Sequence, residues 1–237
     1  MQETSDLYKE LLDTRYTTQT RLVIGNTTDP EDGYGEDVLL SMETRTGLFG
    51  NDTPSVGDCV SAEITVEMIK PSAAIPKQAR LVPYVRLTDG TRHSEWVQKG
   101  VFYLDTRDKK EDGSGIEKMI LTGYDAMLKA EQDYPSSKLS WPAKDIDVVK
   151  EIAAFIGVAV DSQTVSMINK GYKIQLPTEY SCREVLGYIA AMYAGNFVMS
   201  DTGKLRLVLL YDLPAETNYL ITRSGRAITF GGVRILV

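Results

Sequence analysis

Carboxylates are the residues of this chain that come nearest to a chemistry. The segment "TDPEDGYGED" gathers Asp29, Glu31, Asp32, Glu36 and Asp37. Oxygen-rich loops of this kind can hold calcium, but a helix–loop–helix calcium site needs ligands at alternate positions, a central glycine and a closing glutamate. That spacing is missing, so the segment reads as a solvated loop. Asp145 and Asp147, two apart in "KDIDVV", fall where a helix begins, and carboxylates are favoured electrostatically at that end. Glu179, Glu184 and Asp201 are of the type that forms the acid and base of a glycosidase. Nothing in the spacing sets two of them at a working separation. Glu184 has another explanation: three residues after Ser181, it completes a capping box.

Nucleophiles and metal ligands are sparse. The two cysteines, Cys59 and Cys182, lie far apart and read as small buried apolar residues. The one histidine, His93, follows the polar turn "LTDGTR" and is expected to be exposed. One histidine makes both a histidine metal cage and a Ser-His-Asp triad weak readings. No Walker-type phosphate loop, no Gly-x-Gly-x-x-Gly after a strand and no Gly-x-Ser-x-Gly elbow occurs. No catalytic, cofactor-binding or metal-ligating residue is therefore assigned, and neither an enzyme nor a cofactor is expected. Thirteen tyrosines, among them Tyr172, Tyr180, Tyr188, Tyr193, Tyr211 and Tyr219, fit an interface or a half-buried core equally well.

The elements that carry these residues belong to a chain of 237 residues, 43% apolar and 25% charged, long enough for one or two domains. A net charge of −7 disfavours non-specific nucleic-acid binding, because phosphates dominate that affinity. "MQETSDLYKELLDT" lacks the basic and apolar regions of a secretory signal. The longest apolar candidate, Val185 to Met199, is broken by Gly187, Gly195 and Asn196, so no membrane insertion is expected and folding in a cytosol is.

Leu7, Tyr8, Leu11 and Leu12 predict a short helix capped by Ser5 or Asp6. "TQTRLVIGN", "VLLSMETRTGLF" and "CVSAEITVEMIKP" predict strands. In the last, Ala62, Ile64, Val66 and Met68 alternate with polar residues. "ARLVPYVRLTDGTRHSEWVQKGVFYLD" predicts a hairpin turning at Asp89-Gly90, with Pro83 marking an edge strand or a bulge. "IEKMILTGYDAMLKAEQDYP" begins as a strand and becomes helical near Tyr124 to Glu131. A helix with Ile146, Val149, Ile152, Ala153 and Ile156 on one face stops at Gly157. A second helix starts at Ser181, buries Val185, Leu186, Ile189, Met192 and Tyr193, and is expected to end at a Gly195-Asn196 cap. "NFVMS" and "KLRLVLL" then form a hairpin about Asp201-Thr202-Gly203. Val233, Ile235, Leu236 and Val237 end the chain as an apolar strand. It is expected to be either paired in a sheet or, preferably, the point at which a longer protein is cut.

"WVQKGVFYLDTRDKKEDGSGIEKMILTGYDAMLKAEQDYP" resembles the tail-tip or baseplate hub family of tailed bacteriophages, which includes the N-terminal region of tail-associated proteins. The matching residues are Gly100, Phe102, Tyr103, Leu104 and Asp105, then Tyr124, Asp125, Ala126 and Met127, followed by "SCREVLGYIAAMYAGNFVMSDTGKLRLV". The resemblance runs from about Leu7 onward, is most specific over Trp96 to Leu210, and brings no catalytic residue with it. "FGGVRILV" looks like the opening of the family's second barrel, most of which is missing here.

The resemblance implies an α+β fold: a β-barrel-like tube domain over 1–104, an α/β domain with two main helices over 105–212, and the start of an incomplete second barrel over 213–237. It also implies a structural component of a virion tail, assembled in the host bacterial cytoplasm. The full-length protein would be a homotrimeric ring at the tube end, in contact with distal tail or tail-tube proteins and the tape measure. The alternatives are a tail-associated cell-wall or glycan hydrolase, and a carbohydrate-binding adhesin module using the tyrosines.

Overall fold

The computed structural model describes residues 4–51, 53–110, 116–211, 229–230 and 233–234. Helix α1 (Asp6–Leu12) opens it. The Ser5 hydroxyl accepts the Tyr8 N–H, the expected cap, and Leu11 is buried. Ser5 also donates through its backbone N–H and its hydroxyl to Glu95, which ties the helix to the sheet that follows.

That sheet has seven strands: β1 (Thr17–Ile24), β2 (Leu39–Arg45), β3 (Glu63–Ile69), β4 (Arg80–Thr88), β5 (Val97–Gln98), β6 (Phe102–Lys110) and β7 (Lys118–Asp125). Their order is β1-β4-β6-β7-β3-β2, with β5 also beside β4, and every pairing is antiparallel. The alternation read in β3 is borne out: Ile64, Val66 and Met68 are fully buried against Leu22, Leu81, Phe102 and Leu121. Val23, Val82 and Tyr84 face the other way and pack with Trp96 and Val101. The sheet does not close as a barrel ladder. The link before β2 touches β1 at one two-bond bridge, Leu22 with Tyr34.

Pro83 is a correction to the edge-strand reading. Strand β4 pairs with β1 on one side and with β5 and β6 on the other. Leu22, opposite Pro83, directs its backbone bonds outward to Tyr34, so the proline nitrogen points away from β1. It falls between the ladders to β5 and β6, at a break where no N–H is required.

After β7 the chain turns helical as expected, as a 3₁₀ segment, Ala126–Glu131, that begins two residues after Tyr124. Then follow β8 (Ala143–Lys144), α2 (Asp145–Ile156), α3 (Ser162–Met167), β9 (Lys173–Ile174), α4 (Cys182–Met192), β10 (Gly195–Met199) and β11 (Leu205–Leu209). Strands β8 with β9 and β10 with β11 form two antiparallel pairs. Gly157 ends α2 at φ 81°, as expected. A second core gathers Val148, Val149, Ile152 and Ile156 from α2, Leu186 and Ile189 from α4, and Phe197, Leu205 and Leu207 from the hairpin. Each such side chain contributes roughly 1.5–3 kcal/mol on burial.

The mixed α+β class is as expected. The line expected between 104 and 105 falls inside β6, and β6 and β7 both belong to the large sheet. The expected second-barrel start, 213–237, lies outside the described residues except for the backbone of β12 (Thr229–Phe230) and β13 (Val233–Arg234), which pair antiparallel.

Candidate interaction surface

The capping box on α4 is complete. The Ser181 hydroxyl accepts the Glu184 N–H at 3.2 Å, and the Glu184 carboxylate accepts the Ser181 N–H at 2.7 Å. The Ser181 N–H and then the Ser181 hydroxyl, which also donates to this carboxylate at 2.8 Å, hold the Glu184 carboxyl below the usual glutamate range. The helix buries Cys182, Val185, Leu186, Ile189 and Ala190, while Met192, read as buried, is exposed. The helix ends at Met192 with Tyr193 as its C-cap and Ala194 at φ 50°, so Gly195-Asn196 is not its cap. Gly195 starts β10, where a Cβ would meet the Val208 carbonyl oxygen at 2.6 Å.

Asn196 has a role that the sequence reading missed. It is fully buried, and its side chain holds the connection between β2 and β3. Its Oδ1 accepts the N–H groups of Gly57 (2.8 Å) and Asp58 (2.9 Å). Its Nδ2 donates to the carbonyls of Leu48 (2.8 Å) and Ser55 (2.9 Å). The Phe197 N–H donates to the Asp58 carbonyl, and Gly57 lies against Gly187 of α4. The Asp125 carboxylate makes a second tie. It accepts from the Ser61 hydroxyl and from the N–H groups of Ala62 and Met127, and burial pushes its pKa up. These bonds join the large sheet to the helical core.

The candidate chemical groups have structural duties. Asp29 caps a 3₁₀ turn (Pro30–Asp32), and Asp32 accepts from Thr27. Glu31 accepts from Trp96 Nε1 at 2.7 Å and pairs with Arg21 and Arg86, and Arg86 lies over the Trp96 ring. Asp145 is buried and accepts the Tyr193 hydroxyl at 2.5 Å. Glu179 is exposed at φ 69°, and Asp201 lies in the turn between β10 and β11. Both cysteines are free and buried. Burial pushes Cys59 up to about 12 and Cys182 up to about 11, so both are protonated, unreactive thiols at neutral pH. His93 is exposed. Among the described residues no group of three His, Cys, Asp or Glu is placed to hold a metal ion, and no helix is long and apolar enough to cross a membrane.

One part of the surface, beside α4, is apolar. Ile174, Leu176, Pro177, Tyr180, Tyr188 and Met192 line a trough of about 380 Å³ beside α4. Tyr188 is 58% exposed, Leu176 45%, Tyr180 43% and Met192 41%. Tyr180 and Tyr188 meet edge to face, with ring centroids 5.6 Å apart. Clustered exposed tyrosine and methionine on a capped, rigid helix suit protein contact better than chemistry.

No protein-family model matches the chain, and no curated protein matches it. Solved structures do. A 43 kDa tail protein of prophage MuSo2 from Shewanella oneidensis superposes with a TM-score of 0.52 at 14% identity, over 86% of this chain and 59% of that one. A tail protein from Neisseria meningitidis MC58 gives a TM-score of 0.49 at 14% identity, over 81% and 51%. The Francisella PdpA–VgrG complex gives 0.46 at 10%, over 84% and 29%. The first of these shares the fold of this chain, and this chain spans 59% of its length.

Proposed function

We propose that the chain is a non-enzymatic structural component of a phage or prophage tail, placed in the virion at the tail tip or baseplate hub. The observation that carries this reading is the fold shared with the prophage MuSo2 tail protein over 86% of the chain. The buried, protonated thiols and the exposed apolar trough beside α4 agree with an assembly role. In this reading the full-length protein forms a homotrimeric ring at the tube end, contacts tail-tube proteins and the tape measure, and is assembled in the host cytoplasm. The tube part runs to Asp125, where the large sheet ends, and an α/β part follows to about residue 212.

Deletion of the gene from an inducible prophage, followed by electron microscopy, tests this. Loss of tails or of their tips is expected, as is labelling of the tip of complemented particles by antibody against the chain. Normal tails after deletion, or label on the capsid alone, would count against it. Complementation with Tyr188→Glu, an exposed position, should restore soluble protein but not tails.

A further inference from the structure

A second cleft, of about 480 Å³, lies on another part of the helical core, between α3 and the end of β11. Met167 and Leu209 make part of it apolar, as in the trough, but it also presents a cation and two amide side chains. Gln163, Asn169 and Lys170 line it from α3 and its exit, Tyr193 from the end of α4, and Tyr211 from beyond β11.

The Lys170 ammonium stands 5.6 Å from the Tyr193 ring centroid and 5.8 Å from that of Tyr172. Among the described residues it has no carboxylate partner. The Asn169 side chain makes no hydrogen bond among those residues either. The Gln163 carbonyl oxygen is taken by Arg206 at 3.0 Å, so its amide nitrogen is the group it can offer. Tyr193 does not need to be ordered on binding. Its hydroxyl donates to buried Asp145, and its ring packs on Tyr172 at 5.8 Å between centroids. Tyr211 is 48% exposed.

Ring faces match the C–H face of a pyranose, amide groups match its hydroxyls, and one unpaired cation matches one carboxylate. The volume falls within the range of small-ligand clefts. We infer that this cleft binds an anionic saccharide through a sugar unit bearing a carboxylate, with Lys170 on the carboxylate, Tyr211 on the ring, and Gln163 and Asn169 on the hydroxyls. A peptide is a poorer fit, since extended peptides draw affinity from a free strand edge and the lining here is side chains. The cleft would hold such a sugar whether or not the chain sits in a tail.

Titration of the whole chain with tetragalacturonate, followed by backbone amide NMR, is the test. Shifts confined to residues around 163–170, 193 and 209–211 are expected. Lys170→Gln should weaken binding roughly tenfold, the scale of one charged hydrogen bond, and Tyr211→Ala several-fold. Both positions are exposed, so unchanged melting should show that the variants fold. Neutral maltotetraose should bind at least roughly tenfold more weakly than the acid. The inference is overturned by no shifts at millimolar ligand, or by equal binding of maltotetraose, of acetate or of an acidic peptide. Insensitivity to both substitutions also overturns it.

Discussion

Asn196 and Glu184 show how differently two polar side chains of one segment can act. Asn196→Ala removes four hydrogen bonds. Gly57 N–H keeps a second acceptor, the Gly195 carbonyl, but Asp58 N–H loses the acceptor that Asn196 gave it. A buried polar group without a partner costs about 1–3 kcal/mol. Summed over its transitions, urea unfolding should therefore show a loss of about 2–3 kcal/mol, and a loss below about 0.5 kcal/mol would refute the account. Glu184 acts through its charge. Its pKa is lowered on folding from 4.5, so its stabilisation is present above that value and is lost as pH falls through the folded one. The stability gap between wild type and Glu184→Gln should be full near neutral pH and close in acid. A gap that persists in acid would mean that the carboxylate charge is not the cause. The cap was legible in the sequence because both partners lie within four residues. Asn196 was not, because its partners lie 138 to 148 residues away and a Gly-Asn pair after a helix also reads as a cap.

Helices α2 and α4 were legible because each runs three turns, long enough for an apolar stripe to repeat. Helix α3, with six residues, and β8 with β9, two residues each, are too short to show a period. The place of β4 inside the sheet could not be read from Pro83, since only the partners' register shows that the missing N–H faces a break. Of the exposed trough and the second cleft, only the tyrosines were visible beforehand, because exposure depends on what the rest of the chain covers. The meeting of α4 with the β2–β3 connection was invisible for the same reason, and it yields a test. A Cβ on Gly187 would stand 2.7 Å from the Gly57 carbonyl oxygen. Overpacking of this kind costs about 1–3 kcal/mol, against about 1 kcal/mol gained in helix propensity. The Gly57 backbone is held by Asn196 and Gly195 and cannot move aside easily, so Gly187→Ala should destabilise by about 1 kcal/mol. Gly57→Ala meets the Gly187 carbonyl oxygen at 2.9 Å and also forces a side chain to φ 91°, so it should cost more. A Gly187→Ala variant that melts at or above the parent would mean that the two backbones are not in close contact.

Across the whole molecule, stability depends on how firmly the large sheet and the helical core are joined. Each has its own buried cluster, and each has one of the two tryptophans: Trp96 packs against Val23, Val82 and Tyr84, and Trp141 against the second core. The joint includes the Asn196 fan, the Phe197–Asp58 backbone bond, the Gln98 bond to the Asp201 carbonyl, the Gly57–Gly187 and Val101–Gly203 contacts, and Cys59, which packs in the helical core. Two clusters unfold together only while the free energy of their contact exceeds the difference between their own stabilities. Trp96→Phe and Trp141→Phe leave one fluorescent reporter each, Trp141 for the helical core and Trp96 for the sheet. In the parent background the two reporters should give coincident denaturant midpoints. Adding Asn196→Ala to each should separate them, because the loss falls on the joint and not on either core. Midpoints that move together would make Asn196 a residue of one undivided core. Midpoints already apart in the parent background would mean that the joint does not couple the two.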